Sequence, residues 1–380
     1  MKSFDIKTKI YFGDNAMDRV RELPYKRIMV ITDKFFSGSS MLRIVTQPLS
    51  ESNKEFRIFN DVVPDPPIDK IVVGVKAVLE YKPDCLIAVG GGSVIDSAKA
   101  IREFAVRMHE AKIALIAIPT TSGTGSEVTS FSVITDPVRH IKYPLVSESM
   151  LPEEAILDEE LVKSVPPNVT ADTGMDVLTH AIEAYTSVNN NEFSAALAEK
   201  AIEICGAFLL RAYLDGNDWH ARRKMHVASC LAGLAFNSAS LGLNHGMAHQ
   251  LGANFHIAHG RANAMLLPHI IEFNSGINIH SRSQKEYPKQ VEKYVSIARL
   301  LGLQNFNTIT TVRALVNWIQ FMNKEMNIPL SISQMGNIQE MEYRSKIPQM
   351  ADAALADGCT ATNPKVPTKA DVMRIYEELW

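Results

Sequence analysis

Short apolar runs alternate with helical segments between residues 25 and 135, and this alternation constrains the fold more than any other feature. Each run is bounded by Gly, Pro or a charged residue, which is typical of strands buried on both faces of a sheet. The runs are residues 27–32, 84–89 and 113–118. Helical spacing occupies residues 68–81 and 94–107 between them. The pattern predicts a parallel α/β sheet with right-handed crossovers.

Beyond about residue 170 the β-branched runs give way to long segments rich in Ala, Leu and Glu. Short stretches of Gly, Asn, Asp and Pro separate these segments, as at helix ends. The predicted helices are 172–188, 193–214, 219–240, 261–273, 288–301 and 309–323. Pro166 and Pro167 mark the change of pattern, because proline stops the element before it. We therefore predict an α/β domain over residues 1–168 and an all-helical domain over 169–380.

Charge and composition exclude several classes of function. Lys and Arg number 39 against 42 Asp and Glu, so the chain has no basic excess for nucleic acid or an anionic membrane. No apolar run approaches the roughly 18 residues of a membrane helix, and the first residues lack a signal peptide's apolar stretch. The four cysteines are scattered without a C-x-x-C pair, which is typical of reduced thiols. We expect a cytoplasmic protein with neither a nucleic-acid nor a membrane partner.

A glycine-rich turn follows the second predicted strand and begins a helix. It reads Gly90-Gly91-Gly92-Ser93, and such a turn lets a diphosphate approach free backbone N–H groups at a helix N-terminus. The alternative is a tight turn capped by Ser93 without a ligand. The segment lacks the G-x-G-x-x-G pattern, so a standard Rossmann site is not indicated.

Two further features lie at the ends of predicted strands. Residues 119–129 form a run of hydroxyls and glycines with no apolar side chain until Val128, placed where α/β sheets bind ligands. A solvated surface loop is the alternative. Asp33 ends the first predicted strand, where a carboxylate can bind an adenosine ribose and repel a 2′-phosphate. This favours NAD over NADP, although Asp is also common in turns.

Histidines cluster in the helical half of the chain. Five of the eleven lie between residues 245 and 269, and two of these, His245 and His249, are spaced i, i+4. Asp176 and His180 have the same spacing, which places both side chains on one helix face. A carboxylate with imidazoles suits Fe²⁺ or Zn²⁺. A buried histidine can also be a core residue, and spacing alone does not choose which histidines are ligands.

Taken in order, these motifs resemble the iron-containing (group III) alcohol dehydrogenases over essentially the whole chain. The motifs are Gly90-Gly91-Gly92-Ser93-x-x-Asp96-x-Ala98-Lys99, Pro119-Thr120-Thr121-Ser122-Gly123-Thr124-Gly125-Ser126-Glu127, Gly174-x-Asp176-x-Leu178-x-His180-x-x-Glu183, His245-Gly246-Met247-Ala248-His249 and His259-Gly260. Within the family, residues 141–145, 165–167 and 241–245 are most similar to the 1-propanol dehydrogenases of propanediol utilisation. Those enzymes are housed in bacterial microcompartments.

The resemblance implies specific site residues. It assigns Fe²⁺, or alternatively Zn²⁺, to four ligands: Asp176, His180, His245 and His259. It leaves His249 as the catalytic histidine near the nicotinamide. It assigns contacts with NAD(H) to Asp33, Gly91, Gly92, Ser93, Thr120, Thr121, Thr124, Thr129 and Lys142. Family members often carry Asn in a V-x-P-N-P loop where this chain has Asp65, which alters an adenosine-side contact.

The implied activity is reduction of propionaldehyde to 1-propanol by NADH, assisted by the metal. The implied partners are a small aldehyde or alcohol, a second copy in a homodimer, and the enzymes or shell of a microcompartment. A lactaldehyde, glycerol or hydroxybutyrate dehydrogenase on the same scaffold is the main alternative. A dehydroquinate-synthase-like lyase shares the fold, but the basic residues its substrate needs are not evident around the ligand motifs. A non-catalytic binding or scaffold protein is a further alternative, but it would not require the ligand set of Asp176, His180, His245 and His259.

Overall fold

The computed structural model describes residues 4–109, 112–136, 141–277 and 290–380. Two compact units divide the chain, residues 1–165 and residues 166–380. The first is built around a parallel sheet and the second from helices, which confirms the predicted fold class.

The first unit contains a six-stranded parallel sheet and a two-stranded antiparallel ribbon. Its strands are β1 (Lys9–Phe12), β2 (Arg27–Asp33), β3 (Glu55–Val62), β4 (Cys85–Gly90), β5 (Ala114–Pro119), β6 (Phe131–Asp136), β7 (Ile141–Val146) and β8 (Glu154–Leu157). The large sheet has the order β1-β8-β5-β4-β2-β3, and β6 pairs with β7. Its α-helices are α1 (Arg19–Glu22), α2 (Lys34–Ser37), α3 (Leu42–Glu51), α4 (Ile68–Tyr81) and α5 (Gly92–His109).

The central strands β4 and β5 are buried along their whole length, because apolar cores cover both faces of the sheet. Leu86 and Ala88 of β4 face one core, which includes residues of α4 and α5. Cys85, Ile87 and Val89 alternate with them and face a second core, which includes residues of α1 and α3. This double burial explains why the strands read as continuous apolar runs.

The three predicted strands correspond to β2, β4 and β5, and the predicted helix 68–81 is α4. The apolar pattern did not identify β3, whose sequence EFRIFNDV is largely exposed or half-buried at the edge of the sheet. The strand β8 has four residues, too few to show a period. The apolar runs therefore identified the strands β2, β4 and β5 and did not identify β3 or β8.

The second unit is helical. Its helices are α6 (Pro167–Thr186), α7 (Glu192–Leu214), α8 (Trp219–Ala239), α9 (Leu243–Phe255), α10 (His259–Ser275), α11 (Val291–Leu300), α12 (Thr308–Glu325), α13 (Glu340–Ala356) and α14 (Lys369–Glu378). Pro167 occupies the first turn of α6, where its missing N–H costs no hydrogen bond. Residues 288 and 289 of one predicted helix lie outside the described residues. The sequence analysis missed α9, which contains Gly246 and Gly252 and so lacks a continuous apolar stripe.

No single helix in the described part of the chain is both long and apolar enough to cross a membrane. Among the helices that the structure describes, the pair α8 and α9 passes that test when taken together, across a bend of 109°. All four cysteines are free thiols; Cys85, Cys205 and Cys230 are buried and Cys359 is half-buried.

Acid sensitivity is expected from His226 on α8. Burial lowers the pKa of this imidazole from 6.5 to about 4. Between those values the unfolded chain binds a proton that the folded chain does not, so stability falls as the pH falls through this window. His226→Gln should remove about 2.5 kcal/mol of the stability difference between pH 7 and pH 4.5. Urea unfolding at both pH values measures this difference.

His220→Gln is the matched control, because His220 is exposed on the same helix. The control should keep the wild-type pH dependence. An unchanged pH dependence in His226→Gln would show that this histidine does not cause the acid sensitivity.

Candidate metal centre and cofactor loops

Helix α6 carries three ionisable side chains on one buried face. Asp176, His180 and Glu183 are spaced i, i+4 and i+7, so they stack along the same side of the helix. All three are at most 4% exposed. A buried carboxylate is costly unless a cation or hydrogen-bond donors compensate it, so this face needs partners from neighbouring helices.

Helices α9 and α10 supply those partners. His245 Nε2 lies 3.9 Å from Asp176 Oδ1, and His259 Nε2 lies 3.5 Å from the same oxygen. His180 Nδ1 lies 4.0 Å from Asp176 Oδ2, and the rings of His180 and His245 stack with centroids 4.5 Å apart. One ligand atom from each of the four residues lies within 4.8 Å of the others. The structure therefore brings together the four side chains that the resemblance assigned to a metal.

The amide of Asn263 shows that the donor lone pairs converge. Its Nδ2 lies 2.7 Å from Asp176 Oδ1, 3.1 Å from His245 Nε2 and 3.2 Å from His259 Nε2. One NH₂ group has two protons, so it cannot satisfy three acceptors at once. Three of the four donor atoms thus point into one small region.

The chemistry of this donor set fits a divalent first-row metal. Burial raises the pKa of Asp176 and lowers that of His245. A bound cation favours the ionised carboxylate and the neutral imidazole, which are the forms that act as ligands. One carboxylate and three imidazoles suit Fe²⁺ or Zn²⁺ and offer no thiolate.

The Glu183 carboxylate contacts Nδ1 of His245, the ring nitrogen that faces away from Asp176. Its Oε2 contacts His245 Nδ1, and its Oε1 accepts a hydrogen bond of 2.7 Å from the backbone N of Asn244. Burial raises the pKa of Glu183 to about 8. Metal-binding histidines commonly donate their second ring N–H to a carboxylate, which orients the ring. Glu183 has that position here, and its i+3 spacing from His180 was a signal in the sequence.

His249 lies beside the donor set and outside it. Its ring stacks on that of His259 with centroids 5.4 Å apart. Its Nδ1 lies 2.8 Å from Oδ2 of Asp357, which follows α13. The sequence analysis missed Asp357, because the pair is separated by 108 residues and no local spacing joins them.

The two glycine- and hydroxyl-rich loops of the first unit lie side by side. Strands β4 and β5 pair in register up to Gly90 and Pro119, so both loops leave the same edge of the sheet. A methyl group on Gly92 would lie 2.6 Å from Thr124 Cγ2, which shows how closely the loops pack. Gly91, Gly92 and Ser93 are half-exposed at this edge and remain accessible. The arrangement fits phosphate binding at the start of α5.

A buried lysine secures the second of these loops. Lys99 Nζ donates hydrogen bonds to Ser126 Oγ at 2.9 Å, Thr129 Oγ1 at 3.0 Å and the carbonyl of Phe131 at 2.8 Å. Burial lowers the pKa of Lys99 to about 8. Asp96 accepts from Ser126 Oγ at 2.5 Å and from the backbone N of Val133 at 2.9 Å. The hydroxyl of Thr129 thus faces Lys99, and the residue as a whole is only 2% exposed.

The remaining predicted cofactor residues are positioned as follows. The Asp33 carboxylate caps the short helix α2 by accepting from the backbone N of Phe36 at 2.7 Å. Thr120, Thr121 and Thr124 are all half-buried. Lys142 lies in β7, and its side chain is outside the described residues. Cofactor contacts of these residues stay predictions.

Comparisons with known proteins bear on the whole chain. The sequence model of iron-containing alcohol dehydrogenases matches residues 7–159, and the model for the C-terminal part of that family matches residues 170–380. The 1-propanol dehydrogenase PduQ of Citrobacter freundii is 42% identical, with 100% of both chains covered. The NADPH-dependent butanol dehydrogenase of Clostridium saccharobutylicum is 38% identical, covering 99% of this chain and 97% of the relative. A crystal structure of a 1,3-propanediol oxidoreductase has a TM-score of 0.89 at 31% identity, with 100% of both chains covered.

Both family models, the full-length relatives and the structural neighbour agree with the resemblance drawn from the motifs, and that prediction is confirmed. The chain belongs to the iron-containing alcohol dehydrogenases.

Proposed function

We propose that this enzyme reduces propionaldehyde to 1-propanol with NADH, using Fe²⁺ held by the four donors Asp176, His180, His245 and His259. The observation that carries the proposal is the convergence of Asp176, His180, His245 and His259 within 4.8 Å. The name of the 42% identical relative, 1-propanol dehydrogenase, supports the substrate. Zn²⁺ suits the same donors and is the alternative metal.

When bound, the metal would polarise the aldehyde carbonyl as a Lewis acid, and the nicotinamide would supply the hydride. The chain's own residues hold these groups in place. Glu183 orients His245, and Lys99 secures the loop that carries the predicted NAD contacts. The N-terminus of α5 offers backbone N–H groups to the diphosphate.

His249 carries the proton in this proposal. Reduction of an aldehyde adds a hydride to carbon and a proton to oxygen, so a donor must lie near the substrate oxygen. His249 lies next to the donor set and is held at Nδ1 by Asp357. This hydrogen bond orients the ring, so that Nε2 is the nitrogen available for proton transfer.

His249→Ala should lower kcat by about 10²–10⁴-fold while leaving the iron content unchanged, because general acid catalysis supplies a factor of that size. Stopped-flow turnover together with metal analysis of the same sample measures both quantities. His256→Asn is the control: His256 is exposed with a φ of 54°, a conformation that Asn tolerates. Unchanged turnover in His249→Ala would assign the proton to another group.

We propose NAD(H) as the cofactor because of Asp33. Its carboxylate lies at the end of β2, where it would repel the 2′-phosphate of NADP(H). The 38% identical relative is an NADPH-dependent enzyme, whereas a 27% identical structural neighbour, a sulfoacetaldehyde reductase, was solved in complex with NAD+. A cytoplasmic homodimer that resides in a bacterial microcompartment is also proposed, on the likeness to PduQ.

The test is aldehyde reduction by anaerobically purified, Fe²⁺-loaded protein. Propionaldehyde, lactaldehyde and dihydroxyacetone are compared with NADH and with NADPH as the reductant. The proposal expects the highest kcat/KM with propionaldehyde and NADH. Higher values with lactaldehyde or dihydroxyacetone would reassign the substrate to the lactaldehyde or glycerol type. Absence of turnover with all three, despite bound iron, would overturn the proposed reaction.

A further inference from the structure

A second group of possible metal ligands lies next to the four-donor set. It consists of His249, Asp357 and Cys359, each of which offers one ligand atom within 4.8 Å of the other two. All three residues are half-buried, whereas three of the four donors in the first set are buried. We call this group the thiol cluster.

The geometry of the thiol cluster is set by backbone and side-chain contacts. Asp357 Oδ1 accepts a hydrogen bond of 2.9 Å from the backbone N of Cys359, and its Oδ2 lies 2.8 Å from His249 Nδ1. Thr360 Oγ1 donates to the carbonyl of Ala354 at 2.6 Å, which ties the turn to the end of α13. A methyl group on Gly246 would lie 2.1 Å from Thr360 Oγ1, so this turn packs tightly against α9.

The cluster differs chemically from the first donor set. The first set offers oxygen and nitrogen ligands only, while the thiol cluster adds sulfur. Thiolate, imidazole and carboxylate together favour zinc, cobalt or cadmium over magnesium or calcium. The other three cysteines are buried, and within the described part of the chain none of them belongs to a group of possible metal ligands.

We propose that His249, Asp357 and Cys359 bind a second, thiophilic divalent cation of the zinc class, at a site distinct from the iron centre. Binding removes the thiol proton to solvent and leaves the imidazole protonated at Nε2 when Nδ1 is the ligand. A tetrahedral zinc site places its nitrogen and oxygen ligands about 3.3 Å apart, so the 2.8 Å between His249 and Asp357 must open by about half an ångström. Solvent completes the coordination.

A cation bound at this site is coordinated by the His249 ring. If His249 carries the proton, as in the proposed function on which this step rests, the second cation inhibits aldehyde reduction. Low Zn²⁺ that fills only the iron centre would leave His249 available, and further Zn²⁺ would block it. The site therefore predicts inhibition by excess zinc that a chelator reverses.

The first test uses Co²⁺ as the probe, because a cobalt–thiolate bond gives a near-ultraviolet charge-transfer band and the iron centre has no thiolate. Full-length protein titrated with Co²⁺ should develop this band, saturating at about one thiolate-bound ion per chain. Cys359→Ala should lose the band, while Cys230→Ala, which removes a buried thiol elsewhere, should keep it. Circular dichroism checks that both variants are folded. A band that is absent in the wild type or retained in Cys359→Ala would overturn the proposal.

Asp357→Asn distinguishes a three-ligand site from a lone thiol. It should weaken Co²⁺ binding, read from the same band, by at least about tenfold. Unchanged affinity would overturn the three-ligand site. In the inhibition assay, added Zn²⁺ should inhibit iron-loaded wild type, in which iron already fills the first centre, and Cys359→Ala should keep its own zinc-free rate. A cobalt band without zinc inhibition would keep the site and overturn the role of His249, whereas aldehyde turnover without any band would overturn the site alone.

Discussion

Asp176→Ala is expected to release the metal and lower turnover by about 10³-fold or more. Asp176 is the one carboxylate among the four donors, and its oxygens lie within 4.0 Å of all three histidine ligand atoms. Its loss leaves three neutral imidazoles with no negative charge to offset a divalent cation. Lewis-acid activation contributes several kcal/mol, and about 4 kcal/mol corresponds to a 10³-fold change in rate. Metal analysis after dialysis and steady-state turnover of the same sample measure both effects.

Asp172→Asn is the matched control for that variant. Asp172 lies one turn earlier on α6, is similarly buried, and pairs with Arg261 at 3.1 Å rather than with the donor set. The control should retain its iron. Stoichiometric iron in Asp176→Ala would mean that this carboxylate is not a ligand.

Gly260→Ala is expected to unfold or distort the metal centre. Gly260 lies in the first turn of α10, directly after His259. A methyl group there would lie 2.0 Å from the carbonyl oxygen of Asp172 and 3.2 Å from Asp176 Cβ. A backbone oxygen cannot rotate away as a side chain can, so α10 must move off α6. We expect a loss of at least about 3 kcal/mol in the free energy of unfolding, at the high end of overpacking, and loss of iron.

Gly252→Ala provides the comparison for Gly260→Ala. Gly252 is also helical, in α9, and its added methyl group would meet only the carbonyl oxygen of Ile257 at 3.5 Å, an ordinary contact. Alanine should therefore stabilise the helix by roughly 0.5–1 kcal/mol. Urea unfolding of both variants, with iron analysis, checks the pair. Equal and small effects would show that α6 and α10 do not need the close approach at Gly260.

Local spacing accounts for part of the predicted donor set. Asp176 and His180 share a helix face through the i, i+4 relation, and the motifs around His245 and His259 added the rest by resemblance. Asp357 and Asn263 were beyond this reasoning, since each meets its partner through tertiary packing. Glu183 stood in a quoted motif, but only the structure shows its carboxylate against His245 Nδ1.

The fold shows the same division between local and non-local information. Strands buried on both faces, such as β4, carry an apolar run that any reading of the sequence detects. The margins of the sheet depend on pairing with distant segments: β1 pairs with β8 across more than 140 residues, and neither has a distinctive pattern. Likewise, Lys99 reads as an ordinary helix residue, and only the fold reveals that its ammonium group binds the loop after β5.

Aldehyde reduction is proposed to depend on a metal centre formed by Asp176, His180, His245 and His259. The most direct measurement is propionaldehyde-dependent NADH oxidation during anaerobic addition of Fe²⁺ to metal-free protein, with bound iron determined at each point. Turnover should rise in proportion to bound iron and reach its maximum at about one ion per chain. Metal-free protein that turns over as fast as the iron-loaded enzyme would contradict it.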